Sequence, residues 1–483
     1  MSRDLLLAID LGTTGVRARV TEGGGALLGG AHRALPVAFP EPGRVEQDPD
    51  SLHTLSVEVA RQALTAARCG AEDIAALGIA TQRATALAWD AETGRALAPA
   101  VGWQDQRVAR GLEQLRARGL PIGTQPSLAK FLWWLEEEPA VREAAKAGRL
   151  CFGTPDVWLG HRWSGGELFA TDPGQAGCTG LYDPNSGGWA GGFLEILGID
   201  AAWLPEIVAS AGALAETTRD ALGAAIPLAA RAGDQQASAF AAGLRQKGET
   251  KLTFGTAAMV DRHTGASPEP PTPGTVPLPL WRLPDAGESF CLEGHVTTAG
   301  AALEWCVSLG LAPDVAGLDA LAATSPDSGG VVVIPAFQGV GTPHAAEEAR
   351  GLVGGLTRGS GAAELARAAF EGVAHRCVDV WEALEPEDAT IRTDGGLSQS
   401  RLLLQLLADL SGKPVRRADD VEGTALGAAG LAALGVGLDV APVTRGGVTF
   451  EPGLSEDERA GRRARWQRCV RERVLTGEAE AAA

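Results

Sequence analysis

Leu5-Leu6-Leu7-Ala8-Ile9-Asp10-Leu11-Gly12-Thr13-Thr14-Gly15 is an apolar, strand-like run that ends on an aspartate and breaks into a polar, glycine-rich tip. Val16-Arg17-Ala18-Arg19-Val20 then resumes the alternation, which predicts a hairpin. Such a tip lets bare backbone N–H groups and two hydroxyls approach an anion, while a carboxylate at the strand end can hold a cation beside it. The chemistry suggested is binding of a Mg-nucleotide phosphate. A plain surface hairpin whose threonines only satisfy the turn would carry the same residues.

Lys251-Leu252-Thr253-Phe254-Gly255-Thr256-Ala257-Ala258-Met259-Val260 repeats the design in the second half of the chain: strand, Gly-Thr tip, strand. Two such hairpins, each opening one half, suggest paired domains holding a nucleotide in the cleft between them. No G-x-x-x-x-G-K-[ST] loop and no well-placed G-x-G-x-x-G occurs, so a nucleotide here is bound without a P-loop or a Rossmann turn.

At 483 residues the chain has room for two or three domains, each with its own core. A formal charge of -18 argues against nucleic acid and anionic membranes as partners, because both would be repelled. Any phosphate site is then built locally, from amides and a few arginines. The seven cysteines are scattered without a C-x-x-C pair and read as apolar fillers in a reducing compartment. The N-terminus does not read as a secretory signal and no apolar run is long enough to span a bilayer, so a cytoplasmic protein is expected.

Strand, strand, strand, a helix from Ser51 to Arg68 after Asp48-Pro49-Asp50, and a strand from Ile74 to Thr81 open an α/β domain with helices against a mixed sheet. The second half follows suit. A strand over Gly330 to Ile334, a helix over Glu364 to Ala383, a strand over Ala389 to Thr393, a helix over Ser398 to Leu410 and a Gly/Ala-rich helix over Thr424 to Leu434 are expected. The boundary is placed near residue 245, giving domains 1–245 and 246–450 and a closing surface helix with an acidic tail over 451–483.

Gly233-Asp234-Gln235-Gln236 puts a carboxylate and two amides at a strand-to-helix junction, where the carboxylate can accept a hydroxyl proton or simply cap the helix. Arg83, just after the strand ending at Thr81-Gln82, can point into a cleft or into solvent. Thr393-Asp394-Gly395-Gly396-Leu397-Ser398 suits a flat ring lying over bare backbone, and equally a plain strand-to-helix turn.

Taken together with Gly78-Ile79-Ala80-Thr81-Gln82-Arg83, Gly102-Trp103-Gln104-Asp105-Gln106-Arg107, Gly153-Thr154-Pro155-Asp156-Val157-Trp158-Leu159 and Thr424-Ala425-Leu426-Gly427, these segments resemble the FGGY carbohydrate kinases, and within them the glycerol kinases, across nearly the whole chain. The resemblance implies an α/β fold of two actin-like, ribonuclease-H-type ATPase domains that close around ATP and a small polyol or sugar, with homo-oligomerisation left open. It makes Asp234 the catalytic base, Gln235 and Arg83 binders of substrate hydroxyls, and Asp10 the carboxylate near Mg²⁺. Thr13, Thr14, Arg17, Gly255 and Thr256 match phosphate contacts, and Gly300, Glu304, Gly396 and Ser400 match nucleotide-side positions. The implied reaction is in-line transfer of the γ-phosphoryl group to a hydroxyl.

The resemblance breaks at the substrate wall. Glycerol-specific members have a glutamate where this chain has Ala84, a tyrosine where Gln125 stands and a phenylalanine where Met259 stands. An asparagine common in the family aligns with Ser400. Glycerol itself, another polyol or ketose (erythritol, ribitol, xylulose, ribulose), and a non-catalytic nucleotide-binding paralogue are the readings in play. Retention of both Asp10 and Asp234 speaks against the last.

Overall fold

The opening apolar run forms strand β1 (Leu5–Leu11), paired on one side with antiparallel β2 (Gly15–Glu22) and on the other with parallel β4 (Ile74–Thr81). Six of its seven residues are buried, which explains why it reads as continuously apolar rather than alternating. The computed structural model describes residues 4–23, 25–109, 112, 125–387, 389–420, 422–439 and 446–475.

With β3 (Leu27–Ala34), β5 (Ala211–Glu216) and β6 (Pro227–Gly233), these strands make a mixed six-stranded sheet of order β5-β6-β4-β1-β2-β3. Helix α1 (Pro49–Ala67) packs on it; Asp48 caps its N-terminus by accepting from Ser51 N, and Arg68 closes it in the left-handed region. Helix α2 spans Ser127–Glu137, and α3 (Asp234–Ala241) leaves directly from the end of β6.

The second sheet has seven strands: β7 (Thr250–Phe254), β8 (Ala258–Gly265), β9 (Thr275–Leu283), β10 (Gly287–Val296), β11 (Ile391–Asp394), β12 (Val415–Arg417) and β13 (Val448–Phe450). Its order is β9-β10-β8-β7-β11-β12-β13. As in the first sheet, a tight antiparallel hairpin, here β7–β8, has a parallel neighbour, β11, on its first strand. Helices along this part of the chain include α4 (Gly300–Ser308), α5 (Ala362–Ala383), α6 (Arg401–Ser411) and, at the end, α8 (Glu456–Cys469). Helix α7 (Gly423–Gly435) lies between α6 and α8 in sequence.

Two compact units result. One comprises Met1–Ala241, Leu278–Ser289 and Thr424–Val443; the other comprises Ala242–Pro277, Phe290–Gly423 and Thr444–Ala483. The first crossing falls close to the boundary read from sequence, but the chain returns twice to the first unit, which a single cut at 245 does not describe. Helix α7 is grouped there for a visible reason. A Cβ at Gly427 would lie 1.7 Å from the Ala237 carbonyl of α3, and one at Gly78 of β4 would lie 2.2 Å from the Ala428 carbonyl.

Local differences from the sequence reading have local causes. The helix expected from Ser398 begins at Arg401, because Gly396–Gln399 forms a 3₁₀ turn and Ser400 caps the helix through Leu403 N at 3.0 Å. Gly330 and Val331 stay outside the strand expected from Gly330, which covers only Val332–Ile334. Among the cysteines, all free, Cys151, Cys291, Cys306 and Cys377 are buried and the other three half-buried.

The closing helix α8 is more than a surface element, because Arg463 and Trp466 are buried. The Trp466 indole stacks on His375 of α5 at 4.7 Å and 5°. Arg463 reaches Asp379 Oδ1 at 2.8 Å, and its Nη1 lies 3.1 Å from His375 Nδ1. Burial, with Arg463 beside it, pushes His375 down to about 3. It is therefore neutral in the folded chain while the unfolded chain binds a proton below 6.5, so stability is full above 6.5 and is lost as pH falls toward 3. We expect the melting temperature of the second unit to fall between pH 7 and pH 5, and to fall less steeply in His375→Gln; equal slopes in a calorimetric pH series would refute this.

Candidate active site

In the first unit the hairpin tip is closed by Gly12 N donating to Gly15 O at 2.9 Å. Asp10 at the end of β1 is 6% exposed, and Arg17 Nη1 lies 3.7 Å from its Oδ2, so a carboxylate and a guanidinium stand together at one strand end. Thr13 is held from behind by residues that sequence reasoning missed. Trp103 Nε1 donates to Thr13 Oγ1 at 3.1 Å, and Gln47 Nε2 donates to Thr13 O at 2.7 Å. Gln82 Nε2 in turn donates to Gln47 Oε1 at 2.7 Å. These buried amides fix the tip's backbone against the end of β4. Trp103 sits inside one of the quoted motifs; Gln47 gives no local signal.

The end of β6 carries the reactive candidates. Asp234 is the first residue of α3, and its Oδ1 accepts from Gln235 N at 2.8 Å. Arg83 Nε lies 3.6 Å from the same oxygen, so the guanidinium and the carboxylate share one small region, both only partly exposed. Gln235 Oε1 is buried with no hydrogen-bond partner among the described residues. A buried acceptor left without a donor costs about 1–3 kcal/mol, which a ligand hydroxyl would relieve. Gln175, also unremarked in the sequence, ties the ends of β4 and β6 together: its Nε2 donates to Thr81 Oγ1 at 2.7 Å and lies 3.4 Å from Ala232 O.

Ala84 follows Arg83 and is buried, with its backbone at φ +60°. Gln125 is exposed, and the carbonyls of Ala84 and Gln125 meet at one side chain, Lys130. Two of the positions at which the resemblance breaks are thereby brought to the same place. The motif residues Gly123 and Thr124 lie outside the described residues.

In the second unit the tip of β7–β8 faces the start of α4. Gly255 O accepts from Gly300 N at 3.1 Å, and Thr256 O accepts from Ala299 N at 3.0 Å and Ala301 N at 3.1 Å. A Cβ at Gly300 would come within 2.6 Å of Gly255 O, so glycine is what permits this approach. Gly395, at φ +84°, passes Phe254 so closely that a Cβ would lie 2.2 Å from its carbonyl, whereas a Cβ at Gly396 would meet nothing within 4 Å. Gly396 is thus open on the side that a Cβ would occupy. Lys251, fully buried, lies 3.4 Å from Asp394 Oδ1, an ion pair joining β7 to β11. Glu304 is exposed on α4, Met259 is half-buried on β8, and the Ser400 hydroxyl is committed as the cap of α6. No group of three or more His, Cys, Asp or Glu side chains suited to a metal occurs among the described residues. No helix among them is long and apolar enough to cross a membrane.

The sequence and the fold are similar to those of known proteins. Residues 5–241 match the N-terminal domain of the FGGY family of carbohydrate kinases, and residues 251–436 match its C-terminal domain. A glycerol kinase of Aromatoleum aromaticum is 41% identical over 486 residues, covering 96% of this chain and 98% of that one. A glycerol kinase of Alkalilimnicola ehrlichii is 41% identical, with 96% and 97% covered. In structure, a Plasmodium falciparum glycerol kinase with ADP superposes with a TM-score of 0.90 at 23% identity, covering 97% of each chain. At that identity the likeness speaks for the fold, and the two α/β units with their paired Gly-Thr hairpins are the fold it matches. With both domain models matched in order and the relatives aligned almost end to end, the chain belongs to the FGGY family of carbohydrate kinases.

Proposed function

We propose that the protein is an ATP- and Mg²⁺-dependent kinase that transfers the γ-phosphoryl group to a hydroxyl of glycerol, giving glycerol 3-phosphate. The observation that carries this is the cluster of Arg83, Asp234 and the unpartnered Gln235 Oε1, in a chain 41% identical to glycerol kinases. Gln235 Oε1 accepts from one substrate hydroxyl and Arg83 donates to another, which holds the polyol with its reacting hydroxyl against Asp234. Asp234 takes the proton as the oxygen attacks phosphorus in line, and the bond to the ADP leaving oxygen breaks. The amides and hydroxyls of Thr13 and Thr14, with Arg17, neutralise phosphate charge. In the second unit Gly255, Thr256, Gly300, Glu304, Gly396 and Ser400 are assigned to the nucleotide.

Mg²⁺ fits the donor set as a guest shared with phosphates, because Asp10 is one buried carboxylate at a strand end and Mg²⁺ is commonly held by one or two carboxylates plus substrate oxygens. When bound it supplies Lewis-acid neutralisation of phosphate charge.

Ala84, Gln125 and Met259 support a second reading, phosphorylation of another polyol or a ketose. A coupled ADP-release assay against glycerol, erythritol, ribitol, xylulose, ribulose and gluconate decides. Glycerol is expected to give the highest kcat/KM; another substrate more than tenfold better would overturn the substrate and leave the kinase. Ala84→Glu separates the same two readings. For a glycerol enzyme it should tighten glycerol by about 1–2 kcal/mol, the worth of a hydrogen bond to a charged group, with ATP affinity unchanged. For a larger substrate the new carboxylate should lower turnover instead.

A further inference from the structure

Lys130 on α2 is fully buried, with relative exposure of 0%, yet its ammonium meets backbone carbonyls. Nζ donates to Ala84 O at 2.9 Å and to Gln125 O at 2.5 Å. No carboxylate among the described residues pairs with it; Asp105 and Arg107 are the charged groups that bear on it, with opposite effects. Burial pushes it down to about 7. An apolar side chain of the same length would fill this space at far lower cost, so packing alone does not account for a lysine.

The carbonyl it grips belongs to an unusual piece of backbone. Thr85 N donates to Arg83 O at 2.8 Å across Ala84, whose φ is +60°. That is a γ-turn with positive φ at a residue bearing a Cβ, a conformation costing about 1–3 kcal/mol that persists only where the surroundings enforce it. Arg83, the first residue of the turn, lies with its Cγ and Cδ over Gly233, where a Cβ would come within 3.0 Å of both, and its guanidinium is beside Asp234.

We infer that Lys130 is a positioning residue, whose buried amine holds the strained γ-turn at Ala84 and so aims Arg83 at Asp234 while pinning the Gln125 segment of the substrate wall. The inference rests on reading Arg83 and Asp234 as substrate groups. It explains how a chain without the glutamate at position 84 still fixes this wall: the backbone is clamped from behind.

The test is Lys130→Met, of similar length without a donor. For the polyol that wild type phosphorylates best, kcat/KM should fall about 100-fold, the worth of two hydrogen bonds, while KM for ATP stays within about twofold. Adding Ala84→Gly should restore at least about tenfold, because glycine adopts positive φ without strain and needs no clamp. A single variant within about threefold of wild type, equal losses for both substrates, or no recovery with glycine would each overturn the inference. Should Lys130→Met fail to fold, Lys130→Gln, which keeps one donor, answers the same question by the same split between polyol and ATP. A crystal structure of the variant provides a readout independent of turnover. Ala84 should leave the positive-φ region, and its staying there overturns the inference even if wild type phosphorylates no polyol, which would instead refute the proposed function.

Discussion

Asp234→Asn should lose about 10³-fold in kcat, within the usual range for removal of a general base, and keep ATP affinity within about twofold. The amide has the same shape, and its oxygen can still accept from Gln235 N, as Oδ1 does at 2.8 Å, so the start of α3 should not move. What disappears is the site for the proton and the negative charge beside Arg83, whose Nε lies 3.6 Å away. Single-turnover measurement of product, alongside ATP binding by calorimetry, separates chemistry from binding. Turnover within about tenfold of wild type would reduce Asp234 to a residue that begins a helix, the alternative left open by its position in the sequence.

The second large effect concerns the fold. Gly427→Ala should destabilise the first unit by about 3 kcal/mol or more, lowering its melting temperature by roughly 6–12 °C. The reason is backbone against backbone: a Cβ at 427 would stand 1.7 Å from the Ala237 carbonyl, and no rotamer change can relieve that. Relief requires α7 to move away from α3, the helix that starts at Asp234, so turnover should fall with stability. Gly461→Ala is the control. Its Cβ would meet nothing within 4 Å, so alanine on α8 should be neutral or slightly stabilising. Equal melting temperatures for Gly427→Ala and wild type would show that α7 does not sit on α3 as described.

The sequence and the structure agree where a local pattern has a local cause. Both Gly-Thr hairpins were legible because an apolar run followed by small polar residues has few other solutions, and the junction at Gly233-Asp234 because glycine and aspartate punctuate strand and helix. Gly395 belongs to a recognisable motif and Gly300 is reached only through the resemblance, but only the structure shows what each avoids: the carbonyls of Phe254 and Gly255.

What stayed hidden depends on partners far apart in sequence. Gln47 and Gln82 become part of the site only when the chain between them brings both behind Thr13. The γ-turn at Ala84 carries no glycine to advertise a positive φ, and nothing beside Lys130 in the sequence marks its amine as buried. The return of α7 to the first unit was illegible for the same reason, since a Gly/Ala-rich helix fits closely against any flat backbone surface.

The most direct measurement is ³¹P NMR of purified protein incubated with ATP, Mg²⁺ and glycerol. The account predicts a phosphomonoester signal, split by the two protons of the adjacent methylene, growing in step with ADP, and absent in Asp234→Asn. ADP accompanied only by inorganic phosphate, or no ADP although ATP binds, would contradict it.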